Sequence, residues 1–372
     1  MLYPVYTLLF SDTGLSVWQI SSLFVIWSVS SLVLEVPSGA WADATSRRRL
    51  LIAGPLLTAV AFALWVVAPG YWVFAVGFVL WGLKSALTSG ALEALVYEEL
   101  QRIDASDRYA TMMGRGQVAG VVAAMCSGAV AAPVISAGGF VVVGAASVAA
   151  CLLASVVAML FPENQIRPHD EPDLGWADTL TAGLTETRRS KSVRAAVILV
   201  AVIGSVWGAL DEYTPLLIES GGVTAADVSL LMVVIWAGAS AGGLAAGHVA
   251  RWGSTAFAAF VCTGAVLMAA GALSAHPLGV LALAAAFGVF QCATVVADAR
   301  LQNSITGPAR ATVTSLAGMS ADIATLAVYG SYAALVDLSG HSGAFALLMV
   351  PYLAIALWLR LRRFEPARPG HA

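Results

Sequence analysis

Charge is scarce in this sequence. Only 11% of its 372 residues are Asp, Glu, Lys or Arg, and 59% are hydrophobic, whereas soluble domains carry about 25% charged residues. A soluble domain of this length would need a charged, hydrated exterior, so the composition excludes an ordinary soluble protein and indicates an exterior that faces lipid. The net charge of −3 says little about partners, and no feature of the sequence indicates binding to nucleic acid.

Cysteine is also scarce, and its spacing carries no pattern. Cys126, Cys151, Cys262 and Cys292 lie in apolar runs without CxxC or Cys/His spacing, so we expect small hydrophobic side chains and not ligands. The sequence also lacks a phosphate-binding glycine loop with lysine, a nucleophile elbow and a metal-ligand cluster. We therefore expect neither an enzyme nor a cofactor or metal site, and an ion gradient in place of ATP as the energy source.

Long apolar runs fill most of the chain. A membrane-crossing helix needs about 20 mostly apolar residues, and eleven runs of about that length end at glycine, proline or charged residues. The sequence predicts crossings at 17–42, 50–68, 71–95, 112–136, 139–161, 194–218, 226–250, 254–274, 277–299, 312–336 and 343–361, with residues 1–11 as a stub. Numbered from the stub, these are the twelve helices of an all-α integral membrane protein.

Basic residues are distributed unevenly among the connections. Of the 19 lysines and arginines, 18 lie in or beside the connections that follow even-numbered crossings, and Lys84 lies inside an apolar run. Because short loops rich in lysine and arginine stay in the cytoplasm, we expect both termini to be cytoplasmic. The sequence thus predicts a multi-pass protein of the cell membrane, in contact with membrane lipids and monomeric.

The longest polar stretch divides the crossings into six and six. We predict an N-terminal bundle at 1–161, a cytoplasmic linker at 162–193, a C-terminal bundle at 194–361 and a cytoplasmic tail at 362–372. Apolar residues near helical spacing at 174–184 leave two interpretations of the linker, an amphipathic helix on the membrane surface or a solvated hinge.

Two segments repeat between the halves. "YTLLFSDTGLSVWQIS" at 6–21 parallels "YTPLLIESGGVTAADVS" at 213–229, and Gly39, Asp43 and Arg47 share their spacing with Gly243, Gly247 and Arg251. Under this alignment the apolar stretch 194–207 has no counterpart before Met1, which would leave the first helix too short to span. We therefore expect a first helix that is incomplete at its N-terminus.

The stretch "GAWADATSRRR" at 39–49 resembles the signature between helices 2 and 3 of the major facilitator superfamily, roughly G-x-x-x-D-R-x-G-R-R-K. Ala44 and Ser46 depart from it, and the matching residues are Gly39, Asp43, Arg47, Arg48 and Arg49. "LEVPSG" at 34–39 and "SGALEALVYEEL" at 89–100 resemble a branch rich in multidrug exporters. The resemblance implies two six-helix bundles that transport by alternating access.

The resemblance also implies that the signature latches the two halves in the outward-open state, with Glu93 or Glu98 as the acidic partner. The alternative is that the three arginines only enforce topology. "LWGLK" at 80–84 and "GAVAAPVISAGG" at 128–139 resemble antiporter motifs of helices 4 and 5 in part, and ordinary small-residue packing is the competing explanation of the latter.

Charged residues inside a bilayer cost at least about 2.5 to 3.5 kcal/mol each, so they mark candidate functional positions. Lys84 either binds protons or anions or forms a structural pair with Glu35. Asp211, Glu212 and Asp322 are candidates for a proton site, and a structural bond is the alternative for Asp322. Adjacent residues point about 100° apart on a helix, so only one of Asp211 and Glu212 can fully face a cavity. Polar and aromatic residues that could line a pocket are Trp207, Tyr213, Trp236, Gln291, Tyr329 and Tyr332.

These features favour a proton-coupled secondary transporter that exports a small hydrophobic or amphipathic compound. The proton would bind at Asp211, Glu212 or Asp322, with Lys84 and Glu35 as opposing charges in the first half. One alternative is a proton symporter or facilitator for a small polar solute. A second alternative is a membrane protein that does not transport.

Overall fold

The computed structural model describes residues 1–44, 46–88, 91–162, 190–274, 276, 278–305 and 310–362, without the side chains of 35–44, 107, 110, 310, 311 and 362. Most of the predicted linker and almost all of the predicted tail lie outside these residues. The chain groups into two compact units, Met1–Glu171 with Thr224–Leu230 and Pro172–Val223 with Leu231–Ala372.

The described residues form helices and no strands. In the first unit the helices are α1 (Tyr6–Asp12), α2 (Val17–Ala44), α3 (Arg47–Val67), α4 (Tyr71–Thr88), α5 (Ala91–Arg102) and α6 (Tyr109–Ala158). The rest of the chain forms α7 (Lys191–Ser220), α8 (Ala225–Val249), α9 (Ser254–Leu273), α10 (Gly279–Ser304), α11 (Arg310–Leu347) and α12 (Val350–Arg362). Helices dominate because hydrocarbon offers no hydrogen bonds, and a helix satisfies its own backbone groups.

Nine stretches of these residues are long and apolar enough to cross a membrane. Two of the nine are twice the usual length, and glycines with non-helical backbone interrupt both. Gly139 (φ 63°) follows a distorted Gly138 within α6, and Gly340 (φ 68°) interrupts α11. Glycine adopts this left-handed conformation without a Cβ penalty. With these breaks counted, eleven segments and the short α1 agree with the predicted crossings.

Aromatic side chains fill the core of the first unit. Tyr6 of α1 packs against Trp65 of α3 and against Phe78 and Trp81 of α4, and Phe10 of α1 packs against Trp65 and Phe78, with ring centroids 5.2 to 5.8 Å apart. Tyr6, Phe10, Trp65 and Phe78 are at most 1% exposed. Aromatic pairs at these distances favour tilted and edge-to-face contacts, which join the three helices.

Glycines set the spacing between α8 and α10 in the second unit. A Cβ atom added at Gly242 would overlap the backbone carbonyl of Gly288, and one added at Gly288 would lie 2.7 Å from the carbonyl oxygen of Gly238. Small residues at such a contact let two membrane helices approach closely. This approach fixes the positions of the α8 and α10 side chains that form the candidate site.

We predict that Gly242→Ala destabilises the protein by about 1 to 3 kcal/mol, because a backbone carbonyl cannot move aside as a side chain can. The measurement is the free energy of unfolding of the purified chain in detergent micelles. Gly247→Ala is the matched control, since Gly247 lies on the same helix with no atom within 4 Å of an added Cβ. Equal effects of the two substitutions would contradict the close approach.

Candidate functional site

The helix α7 carries the two adjacent acidic residues of the second unit. Asp211 is partly buried, and its Oδ1 accepts a hydrogen bond of 3.1 Å from the indole Nε1 of Trp236 on α8. Glu212 is only 8% exposed. Because the two side chains leave the helix about 100° apart, they face different surroundings. Asp211 and Trp236, both predicted as site residues, are thus brought into direct contact.

Open space adjoins Asp211 along one face of α7. Gly204, Gly208 and Asp211 follow one another at spacings of four and three residues, so they share this face. No atom lies within 4 Å of a Cβ added at Gly204 or at Gly208. The carboxylate therefore sits at the edge of unfilled space.

Trp207 joins this face to α10. Its indole Nε1 donates a hydrogen bond of 3.0 Å to Thr294 Oγ1, and its ring meets Phe287 edge-on at 5.8 Å. Gln291 lies one helical turn from Thr294, and its Cγ is 3.6 Å from a Cβ added at Gly243 on α8. Trp236 of α8 thus contacts Asp211 directly, and Trp207, one turn away on α7, contacts Thr294 and Phe287 of α10.

Sequence analysis missed Thr294, because a single threonine in an apolar run is usually a residue that only packs against its neighbours. Its spacing of three from Gln291 was the available signal, since residues three apart share a helix face. It also missed Tyr352 of α12, which is fully buried. The Tyr352 hydroxyl donates to the carbonyl oxygen of Ile203 and accepts from the backbone N–H of Trp207, both at 2.9 Å.

The three predicted tyrosines form a separate aromatic cluster. Tyr213 of α7 stacks on Tyr332 of α11 at 3.7 Å, and Tyr329 lies edge-on to Tyr213 at 6.0 Å. All three are at most 3% exposed. The Tyr332 hydroxyl lies 2.7 Å from Nδ1 of His341, a residue that sequence analysis did not select. In this conformation the tyrosines are core residues, and their role in a pocket stays a prediction.

Three other predicted charges lie on α2, α4 and α11. Lys84 of α4 is partly buried, with its Cγ 3.5 Å from a Cβ added at Gly54 of α3. Glu35 lies on α2, but its side chain is outside the described residues, so the predicted Lys84–Glu35 pair stays a prediction. Asp322 of α11 is exposed and has a polar or charged partner.

Two arginines of the signature make contacts within the first unit. Arg47 at the start of α3 makes a salt bridge with Glu98 of α5, and Arg48 donates to the carbonyl oxygen of Met159. Glu93, the other predicted acidic partner, is exposed. Arg49 has a partner as well. Gly39 and Asp43 lie on α2, where side chains are outside the described residues.

The site around Asp211 has the chemistry of proton and solute binding. A carboxylate in a membrane-crossing helix is a typical proton carrier, and flat aromatic faces beside amide and hydroxyl groups are typical of small-molecule sites. The described residues contain no group of three or more His, Cys, Asp or Glu side chains placed to hold a metal ion.

We predict that the Arg47–Glu98 pair contributes a coupling energy of about 0.5 to 1 kcal/mol, since both side chains are partly exposed. A double-mutant cycle with Arg47→Ala and Glu98→Ala, read as the free energy of unfolding in micelles, measures it. The Arg102–Glu99 pair on α5 is the control. It spans a single turn with Arg102 55% exposed, so about 0.2 to 0.5 kcal/mol is expected. Zero coupling between Arg47 and Glu98 would contradict the observed pair.

Known proteins share this architecture. The family model of the Major Facilitator Superfamily matches residues 1–287 of this chain. A point mutant of the nucleoside transporter NupG superposes with a TM-score of 0.77 at 11% identity, over 96% of this chain and 93% of that one. The D-xylose-proton symporter superposes with a TM-score of 0.73 at 14% identity, over 98% of this chain and 92% of that one.

A third structure is a bacterial homolog of the human lysosomal transporter Spinster, in an inward-facing and unoccupied conformation. It superposes with a TM-score of 0.65 at 14% identity, over 97% of this chain and 91% of that one. No curated protein sequence matches this chain. At such low identities the structural likeness concerns the fold alone, and the family follows from the match over residues 1–287. The chain belongs to the major facilitator superfamily and is a multi-span membrane transporter.

Proposed function

We propose that this transporter couples the export of a small amphipathic compound to proton entry, with Asp211 as the proton carrier. The observation that carries the proposal is the carboxylate of Asp211, held by Trp236 at the edge of the open face of α7. An ionisable group kept at such a depth is costly, and in membrane proteins such groups mark ion pathways and proton relays.

The Asp211–Trp236 hydrogen bond supplies a route from protonation to conformation. A hydrogen bond to a charged acceptor is roughly twice as strong as one between neutral groups. Protonation of Asp211 therefore weakens the link between α7 and α8 and frees the indole of Trp236. One proton moving across 100 mV releases about 2.3 kcal/mol, which is enough energy to shift a two-state equilibrium nearly fiftyfold.

The side chains around Asp211 favour a flat, partly apolar solute. Trp207 and Trp236 offer aromatic faces for apolar rings or for a cation, while Gln291 and Thr294 offer a few polar groups for orientation. This composition supports the multidrug-exporter-like branch and an amphipathic substrate. Glu212, Asp322, Lys84 and Glu35 are proposed to assist proton loading and release, and Tyr213, Tyr329 and Tyr332 to reach the solute in another conformation.

The signature is proposed to act as a gate at the cytoplasmic face. Arg47 and Glu98 hold α3 to α5, and Gly39, Asp43, Arg48 and Arg49 complete the motif. Release of such an ion pair would let the end of α3 move during alternating access. The accompanying proposals are a cell-membrane location, cytoplasmic termini and a monomer.

A second candidate is proton symport of a polar ring compound. Gln291 and Thr294 could bind hydroxyl groups, and two of the structural neighbours are named as a nucleoside transporter and a D-xylose-proton symporter. The direction of proton flow distinguishes the candidates. Addition of substrate outside vesicles acidifies the interior under symport, whereas an exporter takes up its substrate while releasing internal protons.

We expect Asp211→Asn to abolish proton-driven accumulation, because the amide cannot take up a proton. The measurement uses the full chain in liposomes with an imposed pH gradient, a dye for internal pH and a panel of amphipathic compounds and sugars. Asp227→Asn is the control, since Asp227 is exposed and its carboxylate accepts a hydrogen bond from Thr224 at the start of α8. Substrate exchange without a gradient should persist in both variants.

The outcome separates coupling from transport. If Asp211→Asn retains full proton-driven accumulation, Asp211 is not the carrier. If the unmodified chain moves neither protons nor any compound of the panel, the alternative of a protein that does not transport is favoured.

We also expect Trp236→Phe to lower proton-driven accumulation severalfold and to leave exchange intact, because phenylalanine keeps an aromatic face but has no donor for Asp211. Trp72→Phe serves as the matched control, since the Trp72 side chain is 77% exposed. The same vesicle assay measures both. Wild-type coupling in Trp236→Phe would exclude the hydrogen bond from the coupling step.

A further inference from the structure

A cavity lies at one end of the second unit. Here α7 and α9 begin and α8, α10 and α12 end. The cavity has a volume of about 220 Å³, and its lining includes Ser192, Trp252, Ser254, Arg300, Asn303 and Trp358. From Leu199, another lining residue, to Asp211 is 12 residues along α7, or about 18 Å at 1.5 Å per residue. The cavity is therefore separate from the proposed transport site.

Arg300 is the one charged residue in this lining. Its Nη2 donates a hydrogen bond of 3.3 Å to the carbonyl oxygen of Trp252, and its guanidinium carbon lies 4.2 Å above the ring of Phe257. Among the described residues, no carboxylate pairs with it. Placing a cation away from bulk water is costly unless an anion accompanies it, so the cavity has the charge for an anionic ligand, and no counter-ion lies among the described residues that line it.

Further donors adjoin Arg300. The Asn303 amide makes no hydrogen bond within the described residues, and Ser254 is the first residue of the 20-residue helix α9. The backbone N–H groups of a helix start point outward with partial positive charge, which favours phosphate groups. Guanidinium and amide groups beside a helix N-terminus together match the several oxygens of a phosphate better than they match a single carboxylate.

The rest of the lining is apolar and aromatic. Ala195, Ala196, Leu199, Val296 and Leu359 form the apolar wall, and Trp252 and Trp358 add indole rings. Tryptophan is enriched where membrane helices meet the lipid headgroups. A ligand with a phosphate at one end and hydrocarbon at the other satisfies both parts of this lining.

The position along the helices also fits a lipid. The cavity lies where five membrane-crossing helices end, which is the level of the headgroups. Basic residues cluster at the same helix ends, among them Lys191, Arg194 and Arg360. Basic residues at this level attract anionic lipids.

We propose that this cavity binds the phosphate group of an anionic phospholipid, with Arg300 as its principal contact and the apolar wall against the acyl chains. A free phosphate ion would share the headgroup chemistry but would leave the apolar wall uncovered. The lipid is therefore the expected occupant, and bound lipid stabilises the folded chain because it does not bind the unfolded chain in the same way.

The test measures thermal unfolding of the delipidated full chain in detergent, with added phosphatidylglycerol, phosphatidylcholine or inorganic phosphate. Phosphatidylglycerol is expected to raise the midpoint by about 4 °C or more, and the other two are expected to have little effect. Arg300→Gln should weaken the apparent phosphatidylglycerol affinity about tenfold or more. Arg251→Gln is the matched control, because Arg251 is exposed at the same end but does not line the cavity.

A second variant keeps the charge and fills the space. Ala299→Trp, at an exposed lining position, should remove the phosphatidylglycerol effect while leaving the midpoint without lipid near that of the wild type. Native mass spectrometry should show one tightly bound phosphatidylglycerol fewer in either variant. Equal lipid responses of Arg300→Gln and Arg251→Gln would overturn the proposal. Equal stabilisation by inorganic phosphate would assign the cavity to a free anion and overturn the lipid.

Discussion

The cost of an unpaired polar group in hydrocarbon is the constraint on which this structure depends. Each helix satisfies its own backbone, and most ionisable side chains lie near the helix ends, where water and headgroups are within reach. Asp211 lies farther from the helix ends. Asp211 accepts the indole N–H of Trp236, so that even the candidate proton carrier has a hydrogen-bond partner.

The close packing of α8 against α10 determines where Trp236 lies. Gly238, Gly242 and Gly288 bring α8 and α10 together, and the same two helices carry Trp236, Gln291 and Thr294 toward α7. In lipid, packing contacts replace much of the hydrophobic driving force that assembles soluble proteins. The site therefore lies on rigid helices, and its geometry follows from residues that have no functional groups of their own.

The fold could be predicted from the sequence because its signals are long and redundant. Runs of about 20 apolar residues and the alternation of basic connections each define the crossings, and the signature at 39–49 adds the family. The two glycine breaks were also visible, since "GG" at 138–139 and Gly340 each fall between two predicted apolar runs.

The site was predictable only in part. Charges inside apolar runs selected Asp211, and the indole of Trp236 was a reasonable neighbour. Thr294 and Tyr352 were missed, because the role of a hydroxyl group in an apolar run depends on which residues of the neighbouring helix it contacts. The pairing of Arg47 with Glu98 and not with Glu93 depends on how α5 packs on α3, which the spacing along one chain does not determine.

The hydroxyl of Tyr352 has a mechanical consequence. It contacts both the carbonyl of Ile203 and the N–H of Trp207, which are the two members of one turn in the backbone ladder of α7. When a side chain enters a ladder at this place, the helix can bend there without exposing either group to lipid. The turn of α7 that precedes Asp211 is therefore a position at which the helix can bend. Bending there would move the part of α7 that carries Asp211 and Glu212 relative to the part that begins at Lys191.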